Sequence, residues 1–237
     1  AMVLRASFYT SYSSSTDERK NNIKVASRYL DNTFVDVGAE FSFNNTVGER
    51  TVSRGFQKAK IIVDGEFVDG VGGGVCQVST TLYNAVILSG LLVTEFHSHS
   101  LPVSYVAPSF DAMVSSASDF RFVNTLSAPI TIKMTADGKY VRCSIYGVAG
   151  RKVTRRSETV EVLPYDTTYR DDDNMFLAEE TIESNGTAGI RSRGYLEYEI
   201  GGKVVSTQIR TDYYAPQARV ILRGTKTKDG HNGDDVE

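Results

Sequence analysis

A cysteine that directly follows a run of glycines is the residue whose setting best suits chemistry in this 237-residue chain. Gly72 to Gly74 are followed by Val75 and Cys76, and apolar residues at helical spacing continue from there. The pattern therefore places Cys76 at or near the N-terminus of a helix. The unpaired N–H groups and the positive dipole end at such a position favour a thiolate.

A thiolate beside amide donors suits acyl transfer through a thioester. The backbone N–H groups of Cys76 and Gln77 are the predicted donors to a developing oxyanion. Two of the three histidines, His97 and His99, fall on a predicted strand just after the helix. A histidine base oriented by a carboxylate would complete a nucleophile–base–orienter arrangement. The carboxylates that come next in the chain are Asp111 and Asp119.

Three other interpretations of Cys76 stay open on residue types alone. A lone cysteine on a helix is often a small buried hydrophobe. Cys76, His97, His99 and Asp111 could instead bind a metal, although structural zinc sites usually contain more cysteines. The second cysteine, Cys143, lies in an alternating strand where packing is the better interpretation. A disulfide between the two cysteines would argue against catalysis. No cofactor is expected.

Several residues could position a substrate near this cysteine. Arg19, Arg50 and Arg121 are candidates because a guanidinium binds a carboxylate through two parallel hydrogen bonds. For any one of them a structural or solvated role is the more common case. The predicted substrate-binding set is Gly73, Gly74, Gln77, Ser79, Thr80 and Arg121.

The elements that must position these residues are predicted from periodicity and turn signals. Ser15 and Glu18 form a capping-box pattern before a helix that ends near 31–32. A strand is expected over 91–100. Asp137-Gly138 joins the clearest hairpin, with strands over 130–134 and 139–146. The predicted class is α+β: an N-terminal mixed helix and sheet domain with the cysteine at a helix N-terminus, then a small all-β module.

Composition bounds the possible partners. The net charge of −3 argues against nucleic-acid binding, which requires a basic surface. No apolar run is long enough to span a bilayer, and we expect an upstream signal or anchor outside this sequence. A polar basic stretch near 149–157 indicates a boundary. The predicted divisions are a domain over 1–150, a β module over 157–225 and a polar, disordered tail over 226–237.

The glycine–cysteine stretch GGGVCQVSTTLYNA at 72–85 and the stretch HSLPVSYV at 99–106 resemble the VanW family, as do shorter segments between 5 and 148. This resemblance implies L,D-transpeptidation, in which a cysteine takes the acyl group of a peptidoglycan tetrapeptide stem and forms 3-3 cross-links. Applied to this sequence, the resemblance makes Cys76 the nucleophile and ranks His99 ahead of His97 as the base. It makes Asp111 the carboxylate that orients this base. The sequence departs from the family pattern just before Asp111, where a glycine is expected.

The C-terminal part resembles the G-five domain family of Gram-positive surface proteins, through Gly186, Gly189 and the closing segment 221–225. This second resemblance implies binding to N-acetylglucosamine-containing glycan. Together the two resemblances imply an extracytoplasmic, cell-wall-associated protein that acts on peptidoglycan stem peptides. A non-catalytic protein that binds wall polymers or glycopeptides is the alternative.

Overall fold

Strands dominate the architecture. The computed structural model describes residues 2–63 and 66–227, and within these ranges 49% of the residues lie in strands and 16% in helices. The predicted α+β class, with a mixed helix and sheet domain at the N-terminus, is therefore wrong, because the chain is mostly β. Two long helices give strong periodic signals, whereas several strands of the N-terminal domain are only three to six residues long. Such short strands leave little alternation to detect.

The N-terminal domain packs two long helices against antiparallel strands. Its elements are β1 (Val3–Ser11), α1 (Asp17–Leu30), β2 (Thr33–Val35), β3 (Glu40–Ser42), α2 (Phe43–Val47), a 3-10 turn (Val52–Arg54), β4 (Lys58–Val63), β5 (Glu66–Val71), α3 (Val75–Leu88), β6 (Leu92–Glu95), β7 (Arg121–Val123), β8 (Ile130–Ala136) and β9 (Tyr140–Gly147). A four-stranded sheet has the order β1-β9-β8-β2, a three-stranded sheet has the order β3-β7-β6, and β4 pairs with β5. Helix α3 packs on β1 and β9, and α1 packs on β8 and on α3.

Local signals predicted some of these elements. The hairpin of β8 and β9 is confirmed, and its turn contains Gly138 in the left-handed region at φ 101°. The first helix ends where expected, but its cap is Thr16 rather than Ser15. The predicted strand 91–100 is wrong beyond Glu95, since the chain from 96 to 120 is irregular. The two ends of that segment instead meet each other, since the Met113 N–H donates to His97 O at 2.7 Å.

The C-terminal module is all β, as predicted. Its strands are β10 (Thr154–Leu163), β11 (Thr167–Phe176), β12 (Glu180–Thr187), β13 (Gly189–Ile200), β14 (Lys203–Tyr214) and β15 (Gln217–Lys226). One sheet is antiparallel and has the order β10-β13-β14. The other sheet has the order β11-β15-β12, in which β11 and β15 run parallel. Strand β11 was not predicted because it contains the acidic run 171–173, which has low strand propensity. The predicted tail lies mostly outside the described residues.

Helix α3 forms the centre of the N-terminal domain. Twelve of its 14 residues are buried, including polar side chains on one face and Val78, Leu82 and Val86 on the other. The apolar residues belong to a core cluster that also contains Ile23, Phe120 and Cys143. Within the described ranges, no helix is both long and apolar enough to cross a membrane.

The glycine run before α3 is required by close packing as well as by backbone conformation. Gly72 and Gly74 lie in the left-handed region, at φ 96° and 105°. A Cβ on Gly73 would lie 2.6 Å from Lys60 O and 2.8 Å from the Cβ of Ala59 on β4. The loop is also held by Asn22 of α1, whose Nδ2 donates to Gly73 O at 2.9 Å.

We expect Gly73→Ala to lower the free energy of unfolding by about 1–3 kcal/mol, because the added methyl group meets backbone atoms that cannot easily move. Urea unfolding of the full chain measures this effect. Gly201→Ala is the control, since a Cβ on Gly201 meets nothing within 4 Å and only its positive φ is strained. An equal loss in the two variants would contradict the packing argument.

Candidate active site

Cys76 is the second residue of α3 and is partly exposed. Gly74 caps the helix with its backbone alone. The Cys76 sulfur lies 3.3 Å from Val114 O and 3.5 Å from Val114 N, so it faces the loop that follows the histidines. The structure therefore places the thiol of a partly exposed residue at a helix N-terminus. Cys143 differs, since it is fully buried on β9, and both cysteines are free thiols.

His99 and Asp111 form a buried pair beside the cysteine. The Nδ1–H of His99 donates to Asp111 Oδ2 at 2.7 Å, and the backbone N–H of His99 donates to the same oxygen at 2.7 Å. His99 is 7% exposed and Asp111 is 1% exposed. Because Nδ1 is held by the carboxylate, Nε2 is the nitrogen of His99 that remains to interact with the Cys76 thiol, and each of these two groups shifts the pKa of the other.

The surroundings of Cys76, His99 and Asp111 shift the pKa of each side chain toward its charged form. Burial acts to raise the pKa of the Cys76 thiol, but the hydrogen bond and charge of His99, with smaller contributions from Val114 and Arg50, lower it overall. Burial acts to lower the pKa of His99, but Asp111 and Cys76 raise it to about 9. The pKa of Asp111 is lowered despite burial, mainly by His99. The directions of these three shifts favour the charged forms: thiolate, imidazolium and carboxylate.

Polar residues of α3 hold the loop that carries Asp111. Ser79 Oγ donates to Ala112 O at 2.6 Å, and the Ala112 N–H donates to Thr80 Oγ1 at 3.0 Å. One turn later, Asn84 Nδ2 donates to Phe110 O at 2.8 Å. These three side chains lie on one buried face of the helix that carries Cys76, so the candidate nucleophile and the carboxylate of Asp111 are fixed to the same element.

The C-terminal module completes the surroundings of Asp111. Tyr214 Oη of β14 donates to Asp111 Oδ1 at 2.6 Å. Arg210 of the same strand donates to Asp111 O at 2.7 Å and lies 3.4 Å from Asp111 Oδ1. Asp212 in turn accepts two hydrogen bonds from Arg210, at 2.6 and 2.7 Å. Both Arg210 and Tyr214 are buried, so these contacts are shielded from solvent.

The departure from the family pattern before Asp111 also lies at this contact between domains. Ser109 adopts φ 65°, a left-handed conformation that favours glycine. Its N–H donates to Tyr214 Oη at 2.9 Å, and its Oγ lies 2.7 Å from Ser192 Oγ of β13. Hydrogen bonds from the second module therefore support a strained residue in the loop of Asp111.

Two of the predicted catalytic candidates lie elsewhere. His97 pairs with Glu95, with Nε2 and Oε1 2.9 Å apart, rather than with the cysteine. Asp119 accepts from Ser42 Oγ at 2.5 Å and from the backbone N–H of Asn44 at 2.9 Å, so its role is local. In the part of the chain that the structure describes, no three histidine, cysteine or acidic residues are grouped to hold a metal.

The predicted substrate-binding set is largely occupied inside the protein. Gln77 Nε2 donates to Thr10 Oγ1 and Ser11 O, and the backbone N–H of Gln77 donates to Gly74 O at 3.1 Å. The backbone N–H of Gln77 is thus already hydrogen-bonded, which leaves the backbone N–H of Cys76 as the candidate oxyanion donor. Arg121 is bound by Glu40 and Asp119 on the surface. Ser79 and Thr80 hold the Asp111 loop, and Gly73 and Gly74 pack against β4 and α1.

Three residues of the site were not predicted. Tyr105 lies close enough to Cys76 for the thiolate to act on it, and burial, followed by the charges of Cys76 and Asp111, raises the pKa of its phenol. It falls within the HSLPVSYV stretch, which was the available signal. Arg210 and Tyr214 are separated from Asp111 by 99 and 103 positions, and no local pattern links them.

We expect Tyr214→Phe to move the pH profile of Cys76 alkylation by iodoacetamide downward by about one unit. Loss of a donated hydrogen bond makes the Asp111 carboxylate a stronger base and a stronger acceptor for the imidazolium of His99, which then stabilises the thiolate more. One unit corresponds to about 1.4 kcal/mol, the size of a charge-assisted hydrogen bond. Tyr213→Phe is the matched control, since Tyr213 is exposed and packs under Arg191. Superimposable profiles for Tyr214→Phe and the parent would refute the link.

Comparisons with known proteins follow the same division of the chain. The family model described as VanW like protein matches residues 18–146, and the G5 domain model matches 154–226. The uncharacterized protein YoaR of Bacillus subtilis (strain 168) is 43% identical over 140 residues, which are 59% of this chain and 46% of that protein. The chain thus spans about half the length of this relative.

Two solved structures resemble the chain over about a third of its length. An IgA1 protease G5 domain matches 32% of this chain and 94% of its own, with a TM-score of 0.23 at 16% identity. HP0197-G5 matches 31% of this chain and 99% of its own, with a TM-score of 0.19 at 24% identity. VanW and G5 domains are typical of extracellular proteins associated with the cell wall. Because the VanW model matches more than half of the sequence, this chain belongs to the VanW-like protein family, and a G5 domain follows its VanW domain.

Proposed function

We propose that this protein is a cysteine L,D-transpeptidase that forms 3-3 cross-links between peptidoglycan stem peptides. The observation that carries the proposal is the alignment of a partly exposed Cys76 at a helix N-terminus with the buried His99–Asp111 pair. The family supports the choice of substrate, and the geometry supports the type of reaction. Binding of glycan by the C-terminal module is part of the same proposal.

In the first half-reaction the Cys76 thiolate attacks the carbonyl carbon before the last residue of a tetrapeptide stem. A C–S bond forms and the C–N bond breaks, while His99 Nε2 gives its proton to the departing amine. The backbone N–H of Cys76 is the donor for the oxyanion, and the protonated phenol of Tyr105 is a second candidate.

In the second half-reaction the side-chain amine of a neighbouring stem attacks the thioester. Neutral His99 accepts the proton of that amine, the new C–N bond forms and the C–S bond breaks. The products are a cross-linked stem pair, the restored thiolate and imidazolium. Water in place of the amine would give hydrolysis through the same residues, so access of the acceptor decides the outcome.

Incubation of the full chain with purified disaccharide tetrapeptides, followed by mass spectrometry, tests this function. We expect cross-linked dimers and released D-alanine, and loss of both in Cys76→Ala, because the variant has no nucleophile. Cys143→Ala is the matched control, since burial without charged neighbours raises the pKa of Cys143 and keeps it a thiol. Dimers from Cys76→Ala in parental yield would exclude the mechanism. Absence of dimers from the parent, together with retained binding to wall polymers, would favour a non-catalytic wall-binding protein.

The pH dependence of thioester formation gives a second prediction. Because the pKa of His99 is raised to about 9, the imidazolium persists through neutral pH and is lost as the pH rises through that value. We expect kcat/KM for release of the last residue to fall above about pH 9, since neutral His99 cannot protonate the leaving amine. Stopped assays between pH 6 and 10.5 measure the descending limb. A limb near pH 6.5, the ordinary histidine value, would show that the Asp111 pair does not tune the reaction.

A further inference from the structure

Two arginines lie close to Cys76, Arg19 on α1 and Arg50 in the loop after α2. A Cβ built on Gly74 would lie 3.0 Å from Arg19 Cγ of α1, and a Cβ built on Gly72 would lie 3.0 Å from Arg50 Cβ. The glycines thus let both arginine stems pack directly against the loop that leads into Cys76. Each guanidinium is also close enough to interact electrostatically with the Cys76 thiolate.

Neither of these arginines forms a salt bridge with a carboxylate within the described residues. Arg19 Nη1 donates to Ser15 Oγ at 2.6 Å, and Arg50 Nη2 donates to Asn44 Oδ1 at 2.6 Å, and both acceptors are neutral. Other arginines of the chain are paired, as Arg210 is with Asp212. Burial lowers the pKa of Arg19 and of Arg50, so both cations are partly dehydrated.

The charge of Asp119 acts on Arg50 from a distance, but the two side chains form no salt bridge. Its oxygens already accept hydrogen bonds from Ser42, Asn44 and Arg121. Each guanidinium has five N–H donors in a planar fork that matches a carboxylate. The site therefore combines a candidate nucleophile with two partly dehydrated cations for which the described part of the chain provides no carboxylate in salt-bridge contact.

We propose that Arg19 and Arg50 bind the free C-terminal carboxylate of the donor peptide, so that the enzyme acts on the last peptide bond. This inference rests on the proposed acyl transfer at Cys76. In a peptide cleaved at its last bond, the carboxylate carbon is two bonds from the departing nitrogen. An anion there would lie beside the sulfur, within electrostatic reach of both guanidinium groups. The arginines thus select a peptide with a free C-terminus over one that is amidated or longer.

Alkylation of Cys76 by a charged and a neutral reagent tests this site without requiring turnover. Iodoacetate carries a carboxylate, whereas iodoacetamide is its neutral analogue, and both report the same thiolate. We expect the ratio of the iodoacetate rate to the iodoacetamide rate to fall about tenfold in Arg19→Gln and in Arg50→Gln, the effect of losing one charge-assisted hydrogen bond. Arg28→Gln is the matched control, since Arg28 is exposed at the other end of α1.

The ratio of the iodoacetate rate to the iodoacetamide rate separates carboxylate binding from stabilisation of the Cys76 thiolate, because the latter changes both rates equally. If both rates fall equally, the arginines only stabilise the thiolate and the proposal is overturned. Protection of the unmodified protein provides a test that does not depend on the folding of a variant. N-acetyl-D-alanine should slow alkylation by iodoacetamide, and N-acetyl-D-alaninamide should not. Equal protection by the acid and the amide would also overturn the proposal.

Assays with two donor peptides distinguish failure of this inference from failure of the proposed function. We expect kcat/KM for a tetrapeptide stem with a free C-terminus to exceed that for its C-terminal amide by at least about tenfold. Equal cross-linking of the two donors would overturn the carboxylate site and leave the transpeptidase intact. A charge-dependent alkylation ratio without cross-linking of either donor would refute transpeptidation and support the carboxylate site.

Discussion

The burial of the Asp111 charge is the constraint on which the rest of the site depends. At 1% exposure the carboxylate has lost its contact with water, and only protein donors can stabilise it. Removing one partner from a buried charged pair costs about 3–5 kcal/mol, so each donor matters to the folded state. One oxygen is bound by His99, and the other by Tyr214 with Arg210 nearby. These donors come from distant stretches of chain, and the loop, helix α3 and the β module all converge on one carboxylate.

The same constraint explains why the thiol pKa values of the two cysteines shift in opposite directions. Cys143 is surrounded by apolar residues of the core, and burial alone raises the pKa of its thiol. Cys76 is also shielded, but an imidazolium held by a carboxylate lies beside it and reverses the effect of burial. The charges alternate in sign from Arg210 through Asp111 and His99 to Cys76. Residue type therefore says little about reactivity here until the neighbouring charges are known.

The sequence predicted the parts of this structure that depend on neighbours in the chain. Helix α3 and the position of Cys76 in its first turn followed from apolar spacing and the preceding glycines. His99 ranked ahead of His97 through the family resemblance, and the structure brings His99 to Cys76 while His97 pairs with Glu95. Helical periodicity is strong over 14 residues, whereas a three-residue strand has almost no pattern, so the balance of helix and sheet was misjudged.

What the sequence could not predict depends on contacts between distant segments. Arg210 and Tyr214 occupy ordinary alternating positions of a strand, and only the packing of the two domains brings them to Asp111. Ser109 has a conformation better suited to glycine, and its support from Tyr214 and Ser192 likewise comes from the second module. Contacts of this range require the tertiary structure, because no local propensity encodes them.

The contact of β14 with Asp111 bears on how such proteins can be recombined. Surface modules are commonly regarded as interchangeable attachments, joined to an enzyme by a linker and free to be exchanged by gene fusion. Here an exchange would remove two donors from a buried carboxylate unless the incoming strand carried an arginine and a tyrosine at matching positions. Viable chimaeras would therefore have to inherit strand β14 together with the N-terminal domain, as a single unit.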